Sequence, residues 1–277
     1  MAQRTHFAKS YLSMVETGKR PVPADVVASY EQVLGIPLVG SRRDPMRLAH
    51  EWLVTESPVA THTRSGRRVG ASLASELERR VVELRHLDDV VSSRELLPAV
   101  SKELSDAKSL VRSASYSEMT GRRLFTAVGE LAQLAGWIAS DAGAYADAQR
   151  FYLSGVDAAS ETGGRVLAAQ LLSSLSYQIA TVGDPRDAAL LARTAAVGAT
   201  GATPVVRALL LERVAWASAK SRDVDGTWRA LDEVDDAFEE RGADEPEWVY
   251  WLDRGEIDVM AGRCMIGLGG PPTRNRC

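Results

Sequence analysis

The 277-residue chain carries 33 Lys and Arg against 37 Asp and Glu, with 45 % apolar but only 6 % aromatic residues. It is long enough to bury a substantial core, and abundant Ala with few aromatics favours closely packed helices over a β-sandwich. Two cysteines, Cys264 and Cys277, exclude a disulfide framework and a metal site of paired ligands. No apolar run approaches the roughly 18 residues of a membrane span, and the N-terminus lacks a signal-peptide core. The expected setting is therefore the cytoplasm.

The net charge of minus four conceals an asymmetry. Residues 1–68 hold ten basic and six acidic side chains, and residues 69–277 hold 23 and 31. A basic N-terminal module ahead of an acidic body suits contact with phosphates at one end, or else reflects two unlike solvated faces.

In "AQRTHFAKSYLSMVETGKR" the apolar Phe7, Tyr11, Leu12 and Val15 fall at helical spacing, and Gly18 stops the helix ahead of Lys19 and Arg20. "PVPADVVASYEQVLGIP" then places Val26, Val27, Tyr30, Val33 and Leu34 on one face and stops at Gly35. The pattern predicts two short amphipathic helices joined by a basic turn.

Together, "THFAKSYLSMVETGKRPVPADVVASYEQVLG" resembles the latter part of the XRE-type, lambda-repressor-like helix-turn-helix. The resemblance implies that Lys9, Ser10, Ser13 and Met14 face base edges in the major groove. It sets Tyr11, Lys19 and Arg20 against the sugar-phosphate backbone of double-stranded DNA. Lys19 and Arg20 would supply sequence-independent, salt-sensitive affinity. The sequence departs from the family at His6, where a turn glycine is usual, and at Ala8, where Ser or Thr would add a cap worth about 1 kcal/mol. The family's first helix and most of its second have no counterpart ahead of Met1. The motif is thus expected to be a partial helix-turn-helix, with Met1 an internal methionine of a longer positioning helix.

"DPMRLAHEWLVTES" predicts a further helix. Its His50 and Glu51 are neighbours that face different ways and make no metal or acid-base pair. "PVATHTRSGRRVGAS" reads as a linker, in which Arg64, Arg67 and Arg68 are either DNA contacts or a solvated hinge.

Beyond it the chain reads as helical. "LASELERRVVELRHLDDVV" and "ELLPAVSKELSDAKSLVRSAS" have apolar spacing at Leu73, Leu77, Val81, Leu84 and Leu87, and at Leu97, Val100, Leu104, Leu110 and Val111. They predict a packed helical pair, with Pro98 tolerated in a first turn.

From Gly121 the sequence repeats as helix, short turn, helix, with turns centred on Gly143, Gly183 and Arg222. A small residue follows each turn at one offset, Ala148, Ala188 and Thr227, with Tyr152, Ala192 and Leu231 four places later. "AGAYADAQRFY" resembles the tetratricopeptide (TPR) pattern, although this period exceeds the roughly 34 residues of that family.

Superposed, the copies carry an aromatic ring at one position: Trp137, Tyr177 and Trp216. The TPR resemblance implies that these rings line a concave groove with Gln133, Asp141, Gln170, Ser173, Glu212 and Lys220, a surface for a peptide or small-molecule ligand. The alternative is that the rings fill the space between repeats. "PEWVYWLDRGEIDVMAGRCMIGLGG" predicts the first helix of a fourth pair, with Trp251, Ile257 and Met260 buried. The tail "PPTRNRC" is expected to be disordered, and its composition fits a frameshift, an early stop or an annotation error, or else a short natural tail.

No catalytic motif is present, which argues against an enzyme, and no cofactor is called for. The two parts together resemble XRE-type regulators of high-GC bacteria with a TPR-like body, through "LAQLAGWIASDAG", "ALLLERVAWA" and "WVYWLDRGEIDVMAGRC". The expected fold is all-α: a partial helix-turn-helix over 1–57, a linker over 58–71, a TPR-like α-solenoid of antiparallel helix pairs over 72–270, and a tail over 271–277. The expected function is a transcriptional regulator, a homodimer on operator DNA, whose body senses a ligand or partner or dimerises. The alternative is an interaction module that has lost DNA binding through N-terminal truncation.

Overall fold

The computed structural model describes residues 70–269, the Arg67–Arg68 backbone, and Phe7, Met14, Pro23, Asp25, Val26 and Ser29. The chain divides into two compact units, Met1–Asp44 and Pro45–Cys277. In the first, Met14, Asp25, Val26 and Ser29 are helical; Val26 is buried and Met14 exposed. The DNA-facing candidates Lys9, Ser10, Tyr11, Ser13, Lys19 and Arg20 lie outside the described residues. So do the expected helix over 44–57, Arg64 and the tail over 271–277.

The second unit is all-α. Its described helices are α1 (Ala71–Asp88), α2 (Ser93–Ser113), α3 (Glu118–Asp141), α4 (Tyr145–Thr162), α5 (Arg165–Val182), α6 (Pro185–Gly198), α7 (Pro204–Lys220), α8 (Val224–Glu239) and α9 (Arg254–Leu268). A short 3₁₀ turn, Glu247–Val249, precedes α9. Two residues of extended chain at Arg67–Arg68, β1, pair in parallel with Ala114–Ser115, β2.

Local chemistry explains where these helices begin. The side chains of Ser117, Asp184, Asp223 and Asp253 accept from the backbone N–H of Thr120, Arg186, Gly226 and Glu256, so each satisfies a donor the helix leaves open. Pro185 and Pro204 sit in the first turns of α6 and α7, where the missing N–H is no loss.

The turns fall where the repeat places them. Gly143 adopts a left-handed φ of 81°, and its third-copy counterpart Arg222 adopts φ 65° despite its side chain. Arg222 is held there in part by its guanidinium, which donates to the Leu268 carbonyl at 2.9 Å. Ala148, Ala188 and Thr227 are fully buried, with Tyr152, Ala192 and Leu231 buried behind them. A Cβ at Gly136 would stand 2.5 Å from the Tyr152 ring, so α4 approaches α3 only because that position has no side chain.

Packing runs along one row and behind it. α1 packs on α3, α3 on α5, α5 on α7, and α7 on α9, while α4, α6 and α8 lie against the consecutive helices they connect. α5 and α7 are consequently covered on several sides. Their buried positions run around the helix, Ala168, Leu171, Leu172 and Ser174 on α5, rather than along one stripe.

Four expectations change. α1 and α2 barely touch each other, and each buries its apolar residues mainly on α3. Within their stripes Leu77, Val81, Leu84, Val100, Leu104 and Val111 are buried, but Leu73 and Leu87 are exposed, being at the rim of that contact. Because α2 begins at Ser93, Pro98 lies past the first turn and removes one helical hydrogen bond. The fourth-pair helix starts only at Arg254: the 3₁₀ turn and the Asp253 cap displace it, and Trp251 precedes it in non-helical chain.

Candidate functional site

The aromatic ring that recurs once per repeat becomes a ladder across α3, α5 and α7. Trp137 and Tyr177 have ring centroids 5.9 Å apart, and Tyr177 and Trp216 are 5.7 Å apart, with tilts of 33° and 30°. Protein cations lie on these rings: the Arg213 guanidinium is 4.4 Å from the Tyr177 centroid and 5.8 Å from that of Trp137, and the Lys220 ammonium is 5.3 Å from that of Trp216.

Beside this ladder is a cavity of about 320 Å³, near the lower limit of small-molecule sites. Its walls come from α1, α3, α5, α7, α9 and the segment ahead of α9. Of the predicted groove residues, Gln133, Trp137, Gln170, Ser173 and Tyr177 line it.

The other four are elsewhere. Asp141 is exposed at the end of α3 and accepts from the Ser93 hydroxyl at 2.7 Å. Glu212 is 2 % exposed and pairs with Arg213 at 3.0 Å, and it is Arg213 that reaches the cavity. Trp216 has its indole N–H buried without a partner and packs toward α9, with Lys220 across its ring.

Buried polar groups face the cavity from α5 and α7. Gln170 is 7 % exposed and lines the cavity; its side-chain amide makes no hydrogen bond to the described residues and is open to the cavity rather than sealed in the core. Gln133 donates to the Ser174 hydroxyl over a long 3.4 Å. Arg213, 3 % exposed, spends one N–H on Glu212 and has no other hydrogen bond among the described residues. Burial pushes the Glu212 carboxyl above its ordinary range, opposed by the nearby Arg213 and Arg263.

The opposite end was not foreseen from sequence. α1 contributes Arg85 and Asp88 from its last turn, followed at once by Asp89, and the connection to α9 contributes Trp248, Tyr250 and Trp251. Tyr250 donates a short hydrogen bond to Asp89, and its ring lies 4.8 Å from that of His86, joining the first and last parts of the unit. Arg85 is held by Glu130 at 3.5 Å.

Asp88, by contrast, has no ion pair or hydrogen bond among the described residues. Its pKa is pushed up to about 6, first by burial and then by Asp141 and Asp89. Asp88 ends α1 and Asp141 ends α3, so both carboxylates add to the negative ends of helix dipoles, each an unfavourable placement of about 0.3–1 kcal/mol. The signal was visible in "HLDDVV", where two acids stand at a helix C-terminus.

Among the described residues no three His, Cys, Asp or Glu side chains gather as a metal site, and no helix is long and apolar enough to cross a membrane. Cys264 is buried in apolar packing, which pushes its thiol up to about 12 and leaves it a poor nucleophile. Comparison with protein-family models, with curated proteins and with solved structures finds no match to this chain.

Proposed function

We propose that this chain is a DNA-binding transcriptional regulator whose TPR-like helical body senses a small ligand in the cavity beside the aromatic ladder. The observation that carries the sensing role is Gln170: a buried amide, without a protein partner, facing an aromatic-lined cavity of ligand size. A ligand that hydrogen-bonds this amide replaces cavity water there, a net gain of about 0.5–1.5 kcal/mol. The TPR-like reading rests on the row of α3, α5, α7 and α9, on the equivalent turns at Gly143 and Arg222, and on the shared buried positions after them.

The DNA-binding part rests on the XRE-like motif and the basic balance of residues 1–68. A homodimer on a palindromic operator, in the cytoplasm, with no catalytic role, completes the reading. Titrating the chain with non-specific duplex DNA at low salt tests it. Affinity that falls steeply with salt and is abolished by Lys19→Ala with Arg20→Ala supports a DNA reader. No affinity at all favours an interaction module without DNA binding. Trp137→Ala should remove ligand binding while helical content is kept; a variant that unfolds would make Trp137 a core residue and end its groove role.

A further inference from the structure

The charges around the cavity do not balance. Arg85, Arg213 and Arg263 line it against Asp88, Asp89 and Glu256. Yet Arg85 is already engaged by Glu130 and Arg213 by Glu212, both acids from behind the wall. Asp141 adds a further carboxylate beside Asp88. With Arg263 counted against Glu256, both on α9, what remains is a negative excess of Asp88, Asp89 and Asp141 where α1 and α3 end, and the helix dipoles deepen it.

The rings at that end have matching chemistry. Trp137 stands one helical turn before Asp141, so the indole and the carboxylate share a face of α3. Tyr250 is tied to Asp89 through its hydroxyl. Aromatic faces beside carboxylates attract cations, and the ladder already holds the Arg213 guanidinium in this way. A bare metal ion fits poorly, because the acids do not converge as a ligand set.

We infer that the cavity takes a small organic cation, a protonated or quaternary amine on an apolar body, with its charge at Asp88 and Asp89, Asp141 adding to the negative field from beyond the wall, and its body against Trp137, Tyr177 and Tyr250. Gln170, buried and unpartnered, supplies a hydrogen bond to a polar group on that body. This inference rests on the reading of the cavity as the ligand site.

Isothermal titration of the full chain with three matched probes tests both ideas separately: phenethylammonium, 2-phenylethanol and 3-phenylpropionate share an aromatic body and differ in charge. The ammonium should bind about tenfold or more tightly than the alcohol. Its affinity should fall about tenfold in Asp88→Asn with Asp141→Asn, while that of the alcohol stays unchanged. Added salt should weaken the ammonium alone. Alcohol or carboxylate binding as tightly as the ammonium, in the native chain or at every salt concentration, overturns the cation inference and leaves the ligand site standing. An ammonium affinity unmoved by the paired Asn substitutions overturns it as well. No binding of any of the three up to about 10 mM overturns the cavity as a ligand site, and the inference with it.

Discussion

At the α7 end of the cavity Glu212 and Arg213 neutralise each other in the interior, with the guanidinium laid on Tyr177. At the α1 end Asp88 lies beside Asp89 and Asp141, with no cation assigned to it. One end pairs two fully buried charges within the protein, and the other holds a half-buried carboxylate that no described residue pairs. A self-compensated pair sets the shape and polarity of a wall; an uncompensated carboxylate provides the driving force for a ligand.

The largest effect expected from this contrast is at the compensated end. Arg213→Met leaves the Glu212 carboxylate buried without a partner and should cost about 3–5 kcal/mol in chemical denaturation. Combined with Glu212→Leu, most of that loss should return, because the charge is removed with its partner. A single variant no less stable than the native chain would show that the pair is not a coupled unit.

The uncompensated end should respond in the opposite direction. Asp88 titrates near 6 when folded and near the ordinary carboxylate value of about 4 when unfolded, so the native state holds its proton more tightly. Stability from this group is therefore intact below about pH 4 and is lost as pH rises through about 6. Asp88→Asn should be about 1 kcal/mol more stable than the native chain near neutral pH, allowing for solvent screening, and equal to it near pH 4. Arg85, His86 and Asp89 on and beside α1, Glu130 and Asp141 on α3, Ser93 and Tyr250 face this site, and all are kept in the comparison. Equal stability of the two chains at both pH values would mean that Asp88 carries no penalty.

Tyr152 sharpens the contrast from beneath. Its hydroxyl is fully buried with no hydrogen-bond partner, so Tyr152→Phe should be neutral or more stable by up to about 1 kcal/mol. A loss above about 1 kcal/mol would reveal a partner for that hydroxyl. The smallest change belongs to Tyr250→Phe, which removes one exposed hydrogen bond to Asp89 and should cost about 0.5 kcal/mol in thermal denaturation. A cost of several kcal/mol would instead make that contact a principal tie between the ends of the unit.

Much of the body was legible in the sequence because its signals are local. Helical spacing, Asp and Pro at helix starts, and the repeated turns at Gly143, Gly183 and Arg222 each act within a few residues, so the pattern alone predicts an all-α unit and its helix-turn-helix copies. Superposing the copies also brought Trp137, Tyr177 and Trp216 into one register, and the rings stack accordingly. Three matters needed the tertiary structure. Glu212 and Arg213 are adjacent on one helix, and only the burial of α7 on several sides makes them a pair and turns Arg213 to the cavity. The segment with Trp248, Tyr250 and Trp251 reads as helix by spacing, but its 3₁₀ turn and the Asp253 cap delay α9 and carry these rings to α1. Asp88 and Asp141 are separated along the chain by the whole of α2 and α3, and no periodicity relates them. Local propensity determines where helices start and stop; which helix ends meet, and so where charge accumulates, depends on long-range packing.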